Sequence, residues 1–287
     1  MNVSRTLRTV RVVAGLLLLP GTVWSQSIPR DLAEERDAFS HWLMTDPVSP
    51  RQALARREIG TGLLIGPDSA DIPLSGVATH RVAERDGRVV LRGPDGERIL
   101  PRGRPTALGA FTVVADGAPT HAVLTVFEKR GGRGAAFYPY DPLLVFEGTL
   151  APPAQTTRQR VLGVDGVESD AVEAGTVSVP IGGSKVRLRV LRVRTPGTDE
   201  SELTIYFRDG TNSGGTYPAG RFVELVPLIG GRYRLDFNRA RNPYCAYNSV
   251  YPCPAPWRGN TIPAPVRAGE RYLGGGLDPA TTEGAAP

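Results

Sequence analysis

The chain has 287 residues, with 34 Lys and Arg against 29 Asp and Glu, a formal net charge of +5. Three of those arginines, Arg5, Arg8 and Arg11, lie in the first 25 residues, which leaves 31 basic against 29 acidic groups, too even a balance to favour nucleic acid or an anionic membrane as partner. The 34 glycines and 26 prolines beside only 7% aromatic residues exclude a helical bundle and point to short strands joined by turns.

In chain order, the first element is a three-part leader. The basic residues above are followed by an apolar run from Val12 to Trp24 and by small residues at Val23 and Ser25. This pattern is expected of a secretory signal peptide cut after Ser25. The run is shorter than the roughly 20 residues that cross a bilayer as a helix. Export to the periplasm or the medium as a soluble protein of about 260 residues, without membrane insertion after cleavage, is therefore expected. Residues 26–58 are expected to form a helical segment, with Leu32, Phe39, Trp42 and Leu43 near one face and Pro47 and Pro50 breaking it.

Residues 59–117 alternate short apolar strands with turns: Gly62–Ile65, Val77–Val82, Arg88–Arg92, Glu97–Leu100 and Phe111–Val114, divided by Gly66-Pro67-Asp68 and Gly93-Pro94-Asp95-Gly96. This predicts a small β-sandwich. The run from Ile65-Gly66 through Asp71-Ile72-Pro73-Leu74 to His80 is similar to the opening of a forkhead-associated domain. Pro67 stands where that family carries a phosphate-gripping arginine, so the resemblance implies the fold and not phosphopeptide recognition.

A boundary is expected at residues 115–119, followed by a second β domain over 118–273 and a disordered tail, 274–287, rich in Gly, Ala, Thr and Pro. Leu203, Ile205 and Phe207 alternate with Thr204, Tyr206 and Arg208, and Val186, Leu188 and Val190 with Arg187 and Arg189 after the turn Gly182-Gly183. Tyr233, Leu235 and Phe237 alternate with Arg234, Asp236 and Asn238, so Asp236 and Asn238 are expected to project together, away from the apolar side. The fold class that follows is mostly β, with antiparallel sandwich or barrel regions and one N-terminal amphipathic helix.

Unusual residue types concentrate late in the chain. They are Leu235-Asp236-Phe237-Asn238-Arg239-Ala240, Asn242-Pro243-Tyr244-Cys245-Ala246-Tyr247, Tyr251-Pro252-Cys253-Pro254, Asn260 and Ala268-Gly269-Glu270. Upstream stand Phe137-Tyr138-Pro139-Tyr140-Asp141-Pro142, Phe207-Arg208-Asp209-Gly210-Thr211 and Thr216-Tyr217-Pro218-Ala219-Gly220-Arg221. Together these segments resemble the signature of domain-of-unknown-function family 1684, bacterial and archaeal proteins, over residues 30–272. Tyr244 replaces that family's usual proline, and Gly259 stands where it tends to carry an acidic residue. The resemblance implies a fold and a location for the special residues, and no reaction.

The two cysteines, Cys245 and Cys253, are eight apart. In an oxidising compartment they read most simply as a disulfide closing a small loop; metal-binding thiols, with no histidine nearby, and two buried thiols are the competing readings. Relatives without signal peptides carry the same pair, which adds weight to a packing or ligand-contact role.

The candidate ligand-binding residues are Arg208, Asp209, Tyr217, Arg221, Asp236, Asn238, Asn242, Cys245 and Glu270, which offer carboxylate, amide and guanidinium groups to a small polar molecule. Asp236 with Asp209 or Glu270 is also the pair of carboxylates an extracytoplasmic hydrolase needs, with Asp236 or Glu270 as general base. Against both stands the ordinary use of Asp and Asn in tying down turns and of Arg in structural ion pairs. The histidines His41, His80 and His121 all precede the block, and Gly182-Gly183-Ser184-Lys185 lacks the spacing of a phosphate loop. No metal site and no cofactor is expected. The two readings carried forward are a binding or scaffold module and a hydrolase.

Overall fold

A computed structural model of the protein describes residues 27–117, 121–194, 200–212, 214–255, 257 and 259–274. The expected leader and the expected tail beyond Gly274 lie outside the described residues. Helix α1 (Arg30–Thr45) leads into β1 (Ala53–Glu58), β2 (Leu63–Gly66), β3 (Ile72–Pro73), β4 (His80–Arg85), β5 (Arg88–Gly93), β6 (Gly96–Leu100), β7 (Thr106–Leu108), β8 (Phe111–Asp116) and β9 (Val123–Glu128). There follow β10 (Val145–Thr149), β11 (Arg158–Leu162), β12 (Glu168–Ile181), β13 (Ser184–Arg194), β14 (Ser201–Asp209), β15 (Arg221–Pro227), β16 (Arg232–Asp236) and β17 (Thr261–Ile262). The protein is mostly β, as its turn-rich composition predicts, and the one α-helix among the described residues is N-terminal. Among the described residues no helix is long and apolar enough to cross a membrane.

The helix is shorter than residues 26–58. It stops at Thr45, where Asp46 leaves helical geometry and turns its Oδ1 to accept from the Val48 N–H at 2.8 Å. Pro47 keeps the α-helix from resuming, Pro50–Gln52 make one 3-10 turn, and residues 53–58 pair with β9 as a strand. Leu32 and Leu43 are buried on the helix's inner face together with the polar Arg36, which donates to the carbonyls of Tyr138 and Asn238, each at 3.0 Å.

Two small sheets, β1-β9-β8-β7 and β3-β2-β4-β5-β6, close over one core that runs from Ile59 to Val126. The strand expected at Val77–Val82 starts later, at His80, because Val77 belongs to the turn that bonds back to Leu74. Strands β8 and β9 are antiparallel neighbours, so the boundary expected at 115–119 falls in the connection between two strands of one sheet. Residues 123–128 pair with β1 and β8 and thus go with the N-terminal body.

The large sheet runs β10-β16-β15-β14-β13-β12-β11, with β17 added to β14. Its longest pairing is the β12–β13 hairpin, turned by Gly182 and Gly183 at φ +61° and +76°, a region L side chains avoid. The alternation read from sequence positions its core: Val186 packs partly buried against Leu188 and Val190, and Leu203, Ile205 and Phe207 join Leu235 and Phe237. The Phe237 ring meets Phe207 edge-on at 5.1 Å between centroids, which fixes the end of β16 against β14. At that end the polar residues of the late block begin to turn inward.

Candidate functional site

Strand β16 ends at Asp236 and the chain enters a single 3-10 turn, Phe237–Arg239. Asp236 Oδ1 accepts from the Asn238 N–H at 3.0 Å and from Asn238 Nδ2 at 2.9 Å. The Asn238 amide in turn accepts from the Asp141 N–H and donates to the Asp141 carbonyl, both at 2.9 Å. The two side chains are 5% and 0% exposed, which corrects the expectation that they project together from the polar face. The period-two rule fails because the strand stops one residue short of Phe237. Their shared bonding stitches the late block to the Phe137–Pro142 segment.

Asp209 and Arg221 form a second closed set. Arg221 Nη2 is 2.9 Å from Asp209 Oδ2, and both side chains have no exposed surface. The guanidinium also donates to the carbonyls of Val266 (2.8 Å), Glu270 (3.3 Å) and Ala268. Asp209 Oδ1 accepts from the Thr211 N–H at 2.8 Å, the Thr211 hydroxyl at 2.6 Å and the Val266 N–H at 3.1 Å. With its acceptor sites filled from inside, this carboxylate offers nothing to a ligand. The pair holds the segment 266–270 against β14 and β15.

That segment delivers Glu270. Gly269 stands at φ +72°, and a Cβ there would lie 2.7 Å from both the Ala240 and the Phe237 carbonyl oxygens, so only glycine lets the two backbones approach. Glu270 then donates its N–H to the Ala240 carbonyl at 2.8 Å, and its side chain, 1% exposed, turns toward the 3-10 turn Tyr244–Ala246. Its Oε2 accepts from the Asn242 N–H at 2.9 Å and its Oε1 from the Tyr247 hydroxyl at 2.5 Å. A cavity of about 20 Å³, room for one oxygen atom or one water, opens beside this pair. Arg51, Arg133, Asn242, Tyr247, Glu270 and Arg271 supply its polar lining, with Gly134, Ala135 and Ala136 along one side.

Asn242 is 2% exposed; its Nδ2 donates to the Arg271 carbonyl at 3.2 Å, while its Oδ1 has no partner. Arg51 lies over the Tyr247 ring, 5.2 Å from its centroid, with Nε also unpartnered. Asn242 Oδ1 and Arg51 Nε thus belong to two residues that line one cavity beside a buried carboxylate; among the described residues Arg36, Arg221, Arg234 and Arg241 also carry buried unpartnered nitrogens.

Burial raises Glu270 above the ordinary glutamate value of 4.5, and the bonds from Tyr247 and Asn242 together with the Arg241 charge pull it only partly back. Tyr247 is raised as well, by burial and by the adjacent carboxylate. The folded protein thus holds the Glu270 proton more tightly than the unfolded chain does. The stability this contributes is fully present below pH 4.5 and is lost as pH rises through the raised folded value. Burial also raises Asp116 and Asp165, so the contribution of Glu270 is isolated by difference. In Glu270→Gln the amide oxygen accepts from the Asn242 N–H while Tyr247 becomes an acceptor. Urea midpoints measured from pH 4.5 upward are expected to fall more steeply for the wild type than for this variant. Parallel profiles would refute the assignment.

The remaining candidates lie elsewhere. Cys245 and Cys253 are disulfide-bonded with Cα atoms 5.5 Å apart, and among the described residues there is no cluster with metal-ligand composition. Cys245 and Tyr251 pack with Ala53, Val114 and Phe127, so the disulfide loop is the seam joining the large sheet to the N-terminal body. Asn248 Nδ2 donates to the Ala53 carbonyl at 2.6 Å across that seam. Tyr217 lies beside the loop, its hydroxyl 3.1 Å from Cys253 Sγ. Arg208 is exposed, and its backbone N–H bonds to the Asn260 carbonyl at 2.9 Å.

Sequence reasoning missed Arg51 and Tyr247 at the cavity, and Arg239 and Arg241 beside it. Arg239 pairs with Asp31 and Glu35, and Arg241 Nη2 donates to Glu35 Oε1 at 2.7 Å, so the arginines of the late block hold α1 in place. The signal was the spacing of Asp31 and Glu35, four apart on one helical face, opposite no base within the helix itself.

The family model described as "Protein of unknown function (DUF1684)" matches residues 133–271. That interval spans the Phe137–Pro142 segment, both buried sets and the Glu270 segment. Among solved structures, the solution NMR structure of the uncharacterized protein from gene locus rrnAC0354 of Haloarcula marismortui is 31% identical, covering 48% of this chain and 76% of that one, with a TM-score of 0.42. No curated protein matches the chain.

Proposed function

This chain belongs to the DUF1684 family, proteins of unknown function, and from that premise we propose that it is a binding module that seats a small polar ligand over Glu270. The observation that carries the reading is a cavity lined by Arg51, Arg133 and Asn242 beside the buried Glu270–Tyr247 pair. A polar group placed there meets these side chains, and the close backbone approach at Gly269 holds the carboxylate in position before the ligand arrives. Glu270 and Asn242 are the ligand-binding residues of this reading. Asp209, Arg221, Asp236 and Asn238 are its internal frame.

The hydrolase reading needs two carboxylates facing one substrate, and Glu270 is the single carboxylate among the described residues lining the cavity. Asp209 and Asp236 are spent on internal bonds. The module reading asks less of the same residues.

We place this module outside the cytoplasm. Two observations support that: the three-part N-terminal segment, and the Cys245–Cys253 disulfide, a bond that persists in oxidising compartments. The binding role is tested by denaturing the purified full chain and identifying released small molecules by mass spectrometry. A polar compound released by the wild type and absent from Glu270→Gln is the expected result. Identical extracts from the two proteins, together with identical melting curves in a library of small polar compounds, would sink it.

A further inference from the structure

A larger cavity lies in the N-terminal body, outside residues 133–271, and nothing about it depends on the Glu270 site. The strand register explains its position. Leu63, Val82, Leu91 and Arg98 stand side by side across β2, β4, β5 and β6. Two residues along each strand, and so facing the same way, come Ile65, His80, Gly93 and Gly96. Two glycines thus end a row whose earlier member Ile65 fills the core, and the His80 ring leans into the gap, where a Cβ on Gly93 would meet its Cδ2 at 2.2 Å. The space left at this end of the two sheets is about 360 Å³, within the range of roughly 300–1,000 Å³ common to small-molecule sites. The buried side chains of Val77, Leu91 and Leu108 give it an apolar floor.

Three polar side chains on the lining have bonding capacity left over. His80 Nδ1 donates to the Ala78 carbonyl at 2.6 Å, which in the neutral ring leaves Nε2 as an acceptor without a partner among the described residues. Asp95, exposed in the turn between β5 and β6, has no hydrogen bond or ion pair from its side chain among the described residues. Arg98, also exposed, donates to the Ala107 carbonyl at 3.0 Å and pairs with no carboxylate among the described residues. Glu97 is occupied, held by Arg92 at 3.0 Å and by Arg85 at 3.4 Å. The cavity therefore offers acceptors to a cation, donors to an anion and an apolar floor. A ligand with one charge meets either Asp95 or Arg98 as a like charge, whereas a zwitterion satisfies both. We infer that this cavity binds an α-amino acid zwitterion with an aliphatic side chain, as the free amino acid or as a dipeptide. Its ammonium group bonds Asp95 and His80 Nε2, its carboxylate bonds Arg98, and its side chain covers Val77, Leu91 and Leu108.

Titration calorimetry on the full chain tests this with leucine, leucyl-leucine and three compounds that each lack one feature: leucinamide has no carboxylate, 4-methylpentanoate no ammonium group and glycine no side chain. Each of the three is expected to bind about tenfold more weakly than the better of the two zwitterions. Asp95→Asn should abolish the preference over 4-methylpentanoate, and Arg98→Gln the preference over leucinamide. Both positions are exposed, so the core is untouched by either change. Leucine bound more tightly than leucyl-leucine assigns the cavity to a free amino acid, and the reverse order assigns it to a peptide. Leucinamide, 4-methylpentanoate or glycine bound as tightly as the zwitterions overturns the inference. Zwitterion binding that neither substitution weakens overturns it too, since the ligand then sits elsewhere. If neither zwitterion binds, the inference falls and the Glu270 site stands.

Discussion

Replacing Arg221 by Met is expected to lower the stability of the protein by about 3–5 kcal/mol, the cost of leaving a buried charge without its partner. The Asp209 carboxylate would remain in a site with no exposed surface, facing three N–H and hydroxyl donors and no cation. The carbonyls of Val266, Ala268 and Glu270 would lose their donor at the same time. Arg221→Lys keeps the charge, but one ammonium cannot reach a carboxylate and three carbonyls arranged around a planar guanidinium, so an intermediate loss is expected. The double variant Arg221→Met, Asp209→Asn removes the orphaned charge and should be more stable than Arg221→Met alone. Urea denaturation of the four proteins checks this order. A single Met variant as stable as the wild type would show that the pair does not hold the Glu270 segment. If that variant does not fold at all, the ranking of the Lys and double variants still decides the matter.

Removing the disulfide by Cys245→Ala with Cys253→Ala is expected to cost about 2–3 kcal/mol, from the closure entropy of a loop of this length. For a chain of this size that is a fall in melting temperature of about 5–10 °C. The loop carries three separate attachments. Tyr247 bonds Glu270, Asn248 bonds the Ala53 carbonyl, and Tyr251 packs in the seam with Val114 and Phe127. Loosening the loop therefore affects the cavity and the junction of the two bodies together. Thermal melts of the wild type with and without reductant should reproduce the shift seen in the double variant, and non-reducing mass spectrometry should find the bond in the purified protein. Equal melting temperatures for oxidised, reduced and substituted protein would count against a linking role for the loop.

The Glu270 cavity and the Asp209–Arg221 set use the same short segment in opposite ways. Residues 266–270 are clamped by Arg221 through their backbone carbonyls, and that clamp leaves the Glu270 side chain free to turn to the other side. A closed ion pair thus holds an incompletely bonded site in place. This division explains why the polar residues of the late block, similar in type, have different fates.

Much of the architecture was legible in the residue order alone. The alternation at Leu203, Ile205 and Phe207, and at Val186, Leu188 and Val190, specifies half-buried strands because side chains on a strand alternate faces, whatever the partner. Gly182-Gly183 specifies a hairpin turn because only glycine takes up both positive φ values without strain. The composition of the late block likewise singled out Asn242 and Glu270, which line one cavity. The contacts across distance were a matter for the tertiary fold. Nothing local to Arg221 says that its four acceptors lie on Asp209 and on residues 266–270, and nothing in the spacing of Arg51 brings it over Tyr247, almost 200 positions on. Asp236 and Asn238 turned inward because the strand ended between them, an event set by the packing of Phe237 on Phe207. Local periodicity constrains which face a residue occupies; which polar groups find partners, and which are left without one, depends on elements that meet only when the chain is folded.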